Sequence, residues 1–381
     1  MQKVRFGVIG VGNMGTYHAQ QLLAGKISRA ELVAVCDVDP ARLAPFPQVK
    51  HFADSRELIR SGRVDAVLIA TPHYAHTTIG MDALRQGLHV LVEKPISVHV
   101  ADCDRLLAAH TNPRQVFAAM FNQRTDPYFR KIRELVAELG VLGRVQWTIT
   151  DWFRTEAYYA GGGWRATWAG EGGGVLLNQA MHNLDLWQWL FGLPARVRAE
   201  CRFGRYHNIE TEDDVTAFLE YAHGATGVFI TSTGEAPGAN RLEIVGDRGR
   251  LVYEENVLTH LRNETPVREF SRSSAQWYAQ PARTRQEFRF ANHGGQHPAV
   301  LQNFVDAILD GAPLIAPAAE GRAAVELANA MLLSAWQQKT VALPVDGAVY
   351  ERELQQRIQA SRFVKTAKTG RHVEPMPYLA H

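Results

Sequence analysis

The sequence predicts two domains: a doubly wound α/β domain with a parallel sheet over residues 1–122, and an α+β domain with a large, mostly antiparallel sheet over residues 123–381. Three observations predict them. Short apolar runs alternate with helical patterns in the first third. A Gly-x-Gly-x-x-Gly stretch sits at the first strand–helix junction. Later segments extend one after another without helices between them. The 381 residues also exceed the size at which one core stops growing, about 250–300 residues.

An apolar, β-branched run over 4–9 ends in glycines, and a helix follows over 14–23. Strands are predicted over 31–36, 65–70, 88–92 and 116–120, with helices between them, for example over 75–86 and 100–109. Continuous apolar strands suit a sheet covered on both faces, hence a parallel one. Past residue 122 the texture changes. A helix is predicted over 127–139, then a glycine- and aromatic-rich stretch over 158–174, then a helix over 179–191. Extended segments follow over 196–203, 215–221, 226–231, 241–245 and 257–261, with a hairpin signal at His223-Gly224. Helices return over 297–309 and 319–337. No linker of low complexity separates the two parts, so they are expected to share a cleft.

Composition narrows the function. The 41 basic and 39 acidic residues leave a formal net charge of +2, which lacks the clustered positive charge of a nucleic-acid-binding protein. The densest basic run, 365–371, is expected to be a solvated tail. No run approaches 18 apolar residues, so no membrane span is expected. Cys36, Cys103 and Cys201 are scattered and lack CxxC spacing, which fits separate thiols in a reducing compartment and no zinc site. The chain opens on Met1-Gln2-Lys3 and runs straight into a strand pattern, so a cytoplasmic protein is expected.

Gly10-Val11-Gly12-Asn13-Met14-Gly15 follows the first strand and opens the first helix. Gly10 permits a tight turn, Gly12 lets backbone approach a pyrophosphate, and Gly15 allows close helix–strand packing. Free N–H groups at the helix start attract phosphates. The second strand ends at Asp37, where a carboxylate accepts from ribose hydroxyls and repels a 2′-phosphate. NAD is therefore favoured over NADP, with Arg42 nearby read as a solvated helix residue. The fourth predicted strand runs into Glu93-Lys94-Pro95. Strand ends face the ligand crevice of such sheets, so Lys94 is expected beside the nicotinamide, donating to a substrate hydroxyl. Pro95 is a candidate for a cis peptide. A second cluster runs from Gly172-Gly173-Gly174 to Asn178, His182 and Asp185. Helical spacing puts Asn178 and His182 on one face. His182 is expected to accept the alcohol proton, with Asp185 placed to orient it.

These motifs, together with Ala70-Thr71-Pro72, Glu212-Asp213-Asp214, Gly224-Ala225 and the late helix over 321–336, resemble the glucose–fructose oxidoreductase/inositol dehydrogenase (Gfo/Idh/MocA) family along nearly the whole chain. The resemblance implies a Rossmann domain followed by an open, largely antiparallel α/β domain whose sheet often serves in oligomerisation. A homodimer or homotetramer is expected accordingly. It also implies that Lys94 and His182 contact the reacting hydroxyl, and that Thr71, Pro72, Glu93 and Lys94 line the cofactor. His76, Asn122 and Arg124 join the expected cofactor set. Two departures stand out. Many members carry Asp where this chain has Asn178, and Asn takes up no proton. His73 replaces an Asn that often follows the Ala-Thr-Pro segment, and is expected on a surface loop.

Trp152, Tyr158, Tyr159, Trp164 and Trp168 lie near the glycines with Arg154 and Arg165 among them. Aromatic faces pack on sugar rings, and Arg and Asn serve hydroxyls; core packing accounts equally well for any one aromatic residue. Asn178, Arg154, Trp164, Arg165 and His297 form the candidate substrate set, with a capping or surface role open for His297. The expected reaction moves a hydride between NAD and a secondary hydroxyl or ketone of a sugar, anhydrosugar, glycoside or cyclitol. Two alternatives stay open: a glycosidase acting by transient oxidation, and a non-catalytic NAD-binding sensor.

Overall fold

The computed structural model describes residues 2–365. Its first part runs β1 (Val4–Ile9), α1 (Asn13–Leu23), β2 (Ala30–Cys36), α2 (Pro40–Leu43), β3 (Lys50–Phe52), α3 (Ser55–Arg60), β4 (Ala66–Ile69), α4 (His73–Arg85), β5 (His89–Val92), α5 (Val100–Ala108) and β6 (Phe117–Ala119). The six strands form one parallel sheet in the order β3-β2-β1-β4-β5-β6. β4 is buried at every position and β1 at all but Arg5, which is why both read as unbroken apolar runs. Ile9, Ile69, Val92 and Ala119 stand in register across four neighbouring strands, so the turns that follow them open onto one rim. Strand order reverses between β1 and β4, the place where such sheets bind ligands.

The second part runs α6 (Pro127–Val136), β7 (Leu142–Ile149), α7 (Glu156–Ala160), α8 (Met181–Phe191), β8 (Arg196–Phe203), β9 (Glu212–Glu220), β10 (Thr226–Ser232), β11 (Asn240–Gly246), β12 (Gly249–Glu254), β13 (Val257–Asn263), α9 (Val267–Ser273), β14 (Arg283–Phe288), α10 (Gln296–Asp310), α11 (Ala318–Gln337), β15 (Val341–Ala342) and α12 (Gly347–Ala360). Nine strands form a sheet in the order β14-β13-β12-β11-β7-β10-β9-β8-β15. β7 and β10 pair in parallel and all other neighbours are antiparallel.

Two helices tie the parts together. α11 is buried on nearly all sides and packs on α8 and β8 while touching α5 and β6. α10 lies late in the chain, yet its Val300, Leu301, Phe304 and Val305 share a core with Phe6 and Val8 of β1. The Phe6 and Phe304 rings sit 6.1 Å apart. The first sheet thus receives part of its cover from beyond the first 122 residues. The three cysteines are buried and unpaired. Of the basic run 365–371, all but Lys365 lies outside the described residues.

Candidate active site

The turn after β1 is shaped by its glycines. Gly10 has φ +86°, and a Cβ there would stand 2.7 Å from the Ala70 carbonyl oxygen; at Gly15 it would stand 1.7 Å from that of Gly10. These two positions admit no side chain. Gly12 is open, its nearest neighbour being an Arg42 nitrogen at 3.6 Å. α1 starts there without a side-chain cap and without an acid in its first turn, leaving N–H groups free for an anion. Asn13 is exposed and Met14 half-buried at this opening. Just past β2, the buried Asp37 carboxylate accepts the Val11 N–H at 2.9 Å and the Asp39 N–H at 3.0 Å. Arg42 faces Asp37 at 3.8 Å and Asp39 at 3.6 Å, so its charge is already answered.

Around the rim, Pro72 caps the start of α4. Thr71 Oγ1 and Asn122 Oδ1 are buried without a hydrogen-bond partner, the condition of atoms that a ligand satisfies. An uncapped helix, an open Gly12, a ribose-type carboxylate and two orphaned acceptors fit a dinucleotide. His76 does a different job from its expected neighbours. Its ring nitrogens face the Pro95 carbonyl at 2.8 Å and the Thr71 carbonyl at 2.7 Å, bracing the ends of β4 and β5 from behind.

β5 delivers Glu93 and Lys94 to the same rim, and the Lys94–Pro95 peptide is cis, as expected. Burial by itself would raise the Glu93 carboxyl. The hydrogen bond from His18 at 2.7 Å, with the charges of His18, His297 and Lys94, outweighs it and holds Glu93 at about 2. An ionised Glu93 accepts, so His18 Nε2 carries the proton. Burial pulls the Lys94 ammonium down to about 8, against the pull of Glu93 and Glu171 and with help from Arg165 and Arg154.

The glycine-rich segment reaches this rim from the second part. Glu212, at the start of β9, accepts the N–H groups of Gly174 and Leu176 at 2.8 and 3.0 Å and pins the turn. A Cβ on Gly174 would stand 2.0 Å from the Glu212 carbonyl oxygen. The pinned turn presents the Asn178 carbonyl to Lys94, whose ammonium donates to it at 2.9 Å. One helical turn later His182 lies buried at the start of α8, with Nδ1 lacking a partner. Burial first, then the charges of Lys94 and His297, push the His182 pKa well below the usual imidazole range. The ring is therefore neutral near pH 7 and within electrostatic reach of Lys94.

Four expectations are corrected here. Asp185 does not orient His182: both its oxygens accept from the Arg124 guanidinium, at 2.6 and 2.7 Å. Arg124 is itself buried and also donates to Glu320 and to the Ile315 carbonyl, so its donors are spent inside the protein. His73 is no surface-loop residue. It opens α4 buried, faces the Glu171 carbonyl at 3.2 Å and packs on Trp164 at 5.1 Å between centroids. His297 is likewise buried in α10, with its ring 5.6 Å from that of His18 and 5.7 Å from that of Tyr17; burial lowers it to about 4.

Sequence reasoning missed two groups. His18 shares the buried stripe of α1 with Gly15, Ala19 and Leu22, and a polar residue on an apolar stripe was a readable signal. Glu171 is buried in an irregular segment that offers no periodicity; it accepts from the Asn178 side chain and from the Ala166 N–H, and burial raises its pKa. Nearby, the Tyr158 hydroxyl receives donors from Arg165 at 2.7 Å, Gln179 at 3.1 Å and Asn178 at 3.4 Å.

Known proteins match this architecture. Myo-inositol 2-dehydrogenase of Thermotoga maritima is 27% identical over 358 residues, covering 89% of this chain and 98% of its own. Inositol 2-dehydrogenase of Rhizobium meliloti is 24% identical over 351 residues, covering 89% and 99%. The crystal structure of the WlbA dehydrogenase from Chromobacterium violaceum, in complex with NADH and UDP-GlcNAcA, superposes with a TM-score of 0.78 at 26% identity, covering 91% of this chain and 97% of its own. The model of an oxidoreductase family's NAD-binding Rossmann fold matches residues 4–120, and that of its C-terminal alpha/beta domain matches residues 133–343. These matches span most of the chain, and the protein is a NAD-binding oxidoreductase of the Gfo/Idh/MocA family.

Proposed function

We propose that this protein is a NAD-dependent dehydrogenase that interconverts a secondary hydroxyl and a ketone on a sugar or cyclitol, with Lys94 and His182 at the reacting oxygen. The observation that carries this reading is the meeting of two elements at one rim: β5 leads into Lys94, α8 opens with His182, and the bond from Lys94 to Asn178, just before α8, joins them. Relatives named inositol 2-dehydrogenase, and a neighbour holding NADH with UDP-GlcNAcA, support the substrate class.

When bound, NAD supplies the hydride acceptor or donor. The turn over residues 10–15 would hold its pyrophosphate, Asp37 its ribose, and Thr71, Pro72, Glu93 and Asn122 would line the rim. Lys94, charged below about 8, donates to the substrate oxygen and offsets the negative charge that builds on it. Neutral His182 accepts the hydroxyl proton. The same burial that keeps the ring neutral disfavours the imidazolium, so the proton passes on toward solvent and does not rest there. Asn178 takes no proton; its carbonyl aims Lys94 and its amide satisfies Glu171. His18 holds Glu93 behind this pair by its hydrogen bond, and His297 adds an electrostatic pull.

A homodimer or homotetramer is part of this reading. The sheet face left open by the helices carries half-exposed Phe218, which suits a second copy. Separate buried thiols suit the reducing cytoplasm. Relatives named as dehydrogenases leave the glycosidase and sensor alternatives without support.

The test is a panel of monosaccharides, anhydrosugars, glycosides and inositols, followed by nicotinamide absorbance with NAD and NADP in parallel. NADH is expected to accumulate with at least one polyol. Aglycone release without NADH would replace the reading by a glycosidase. Cofactor binding with no turnover of any member would replace it by a sensor.

A further inference from the structure

We infer that the substrate carries an anionic oxygen group, a carboxylate or phosphate, gripped by Arg154 and Arg165. This rests on the reading of the Lys94 crevice as the substrate site. Arg165 Nη1 donates to the Tyr158 hydroxyl at 2.7 Å, and Asn178 donates to the same oxygen while its carbonyl holds Lys94. The guanidinium is therefore a single phenol oxygen away from the segment that aims the reactive lysine. Both arginines lie on the Tyr158 ring, Arg165 at 4.7 Å and Arg154 at 5.2 Å from its centroid, and Arg165 also lies 4.7 Å from that of Trp164. Aromatic faces hold guanidinium planes without consuming their N–H edges.

Charge is left over at this place. Among the described residues no carboxylate stands within salt-bridge distance of either arginine. Among the described residues, the Arg154 guanidinium donates to the neighbouring carbonyls of Trp152 and Phe153 and to no other acceptor. Lys365 arrives as well, donating to the Gly162 and Arg165 carbonyls. Lys94 is answered by Glu93 and Glu171, and the carboxyl that Arg165 and Lys365 also feel is Glu171. That acid is fully buried, turned toward Asn178 and the Ala166 N–H, and driven toward its neutral form by burial. An arginine has five N–H donors in a fixed fork that matches a carboxylate or phosphate; most of those on Arg154 and Arg165 are unspent. Half-buried like charges repel one another unless an anion enters between them. A neutral hydroxyl answers none of that charge.

The test uses the full chain loaded with NADH and titrated by tryptophan fluorescence. The probes are glucuronate, galacturonate and mannuronate, and the 6-phosphates of glucose, galactose and mannose, each beside its neutral parent sugar. At least one anionic sugar is expected to bind about 10-fold or more tightly than its parent, with the advantage shrinking as salt rises. Preference for the uronates assigns a carboxylate, and for the phosphates a phosphoryl group. Arg165→Gln and Arg154→Gln are expected to erase the advantage. The wild-type ratio and its salt dependence carry the claim even where a variant fails to fold. A panel in which no anionic sugar outbinds its neutral parent overturns it. Turnover separates this from the reaction itself: oxidation confined to neutral sugars refutes the charge claim alone, while tight anion binding without NADH formation by any sugar refutes the dehydrogenase alone.

Discussion

The Lys94 ammonium donates to the backbone carbonyl of Asn178 at 2.9 Å, across 84 positions of chain. Because the contact uses main chain, it is indifferent to the side chain that stands at position 178. The Asn178 amide serves Glu171 instead, a fully buried carboxyl.

Asn178→Asp would thus set two carboxyls against each other in a buried place and remove the donor to Glu171. The variant is expected to lose about 1–3 kcal/mol of stability, read by denaturant unfolding. An unchanged or raised midpoint would contradict the pairing.

The Arg124–Asp185 pair is buried on both sides. Arg124→Met leaves the buried Asp185 carboxyl with the Gln188 amide but no countercharge, and about 3–5 kcal/mol of stability is expected to be lost. The folded protein is expected to bind NADH with a Kd within about 3-fold of wild type, since the guanidinium points into the core. A selective loss of NADH affinity would return Arg124 to the cofactor site.

Asp37 accepts from Val11 and Asp39 at the end of β2, and Arg42 answers it from outside. Asp37→Ser removes the negative charge that a 2′-phosphate would meet. The ratio of NADPH to NADH affinity is expected to rise about 10-fold or more, read by nucleotide fluorescence. An unchanged ratio would place the selectivity elsewhere.

Lys94 and His182 set a pH window with a definite sign. Lys94 is protonated below about 8 and His182 is neutral down to a pH well below 6.5. The working combination, charged lysine with neutral imidazole, therefore exists between those limits. Initial rates of sugar oxidation are expected to hold level through neutrality and fall as pH rises past about 8. A rate still climbing well above that value would make the neutral lysine the proton acceptor.

Much of this was legible in the sequence because its causes are local. β1, β4 and β5 are short, doubly buried strands, so burial wrote them as apolar runs, and the glycine spacing located the turn at α1. Lys94 and His182 stood out by position next to glycine or proline punctuation. What stayed hidden had non-local causes. β3 (Lys50–Phe52) is a three-residue edge strand and β14 (Arg283–Phe288) an exposed edge strand, and neither has an apolar signature. β7 (Leu142–Ile149) is central, yet its first half, with Gly143 and Arg144, interrupts the alternation. Asp185 was read as the partner of its helix neighbour His182, whereas it pairs with Arg124, 61 positions away. Glu171 sits in turns that no period describes, and α10 (Gln296–Asp310) covers β1 (Val4–Ile9), near the opposite end of the described chain.

The central claim is that Lys94 acts on the reacting oxygen and contributes little to holding the dinucleotide. Lys94→Met, assayed with the best substrate of the panel and titrated in parallel with NADH, tests it most directly. Turnover is expected to drop about 100-fold or more while the NADH Kd stays within about 3-fold of wild type. Turnover within a few-fold of wild type, or a loss explained wholly by weaker NADH binding, would contradict the account.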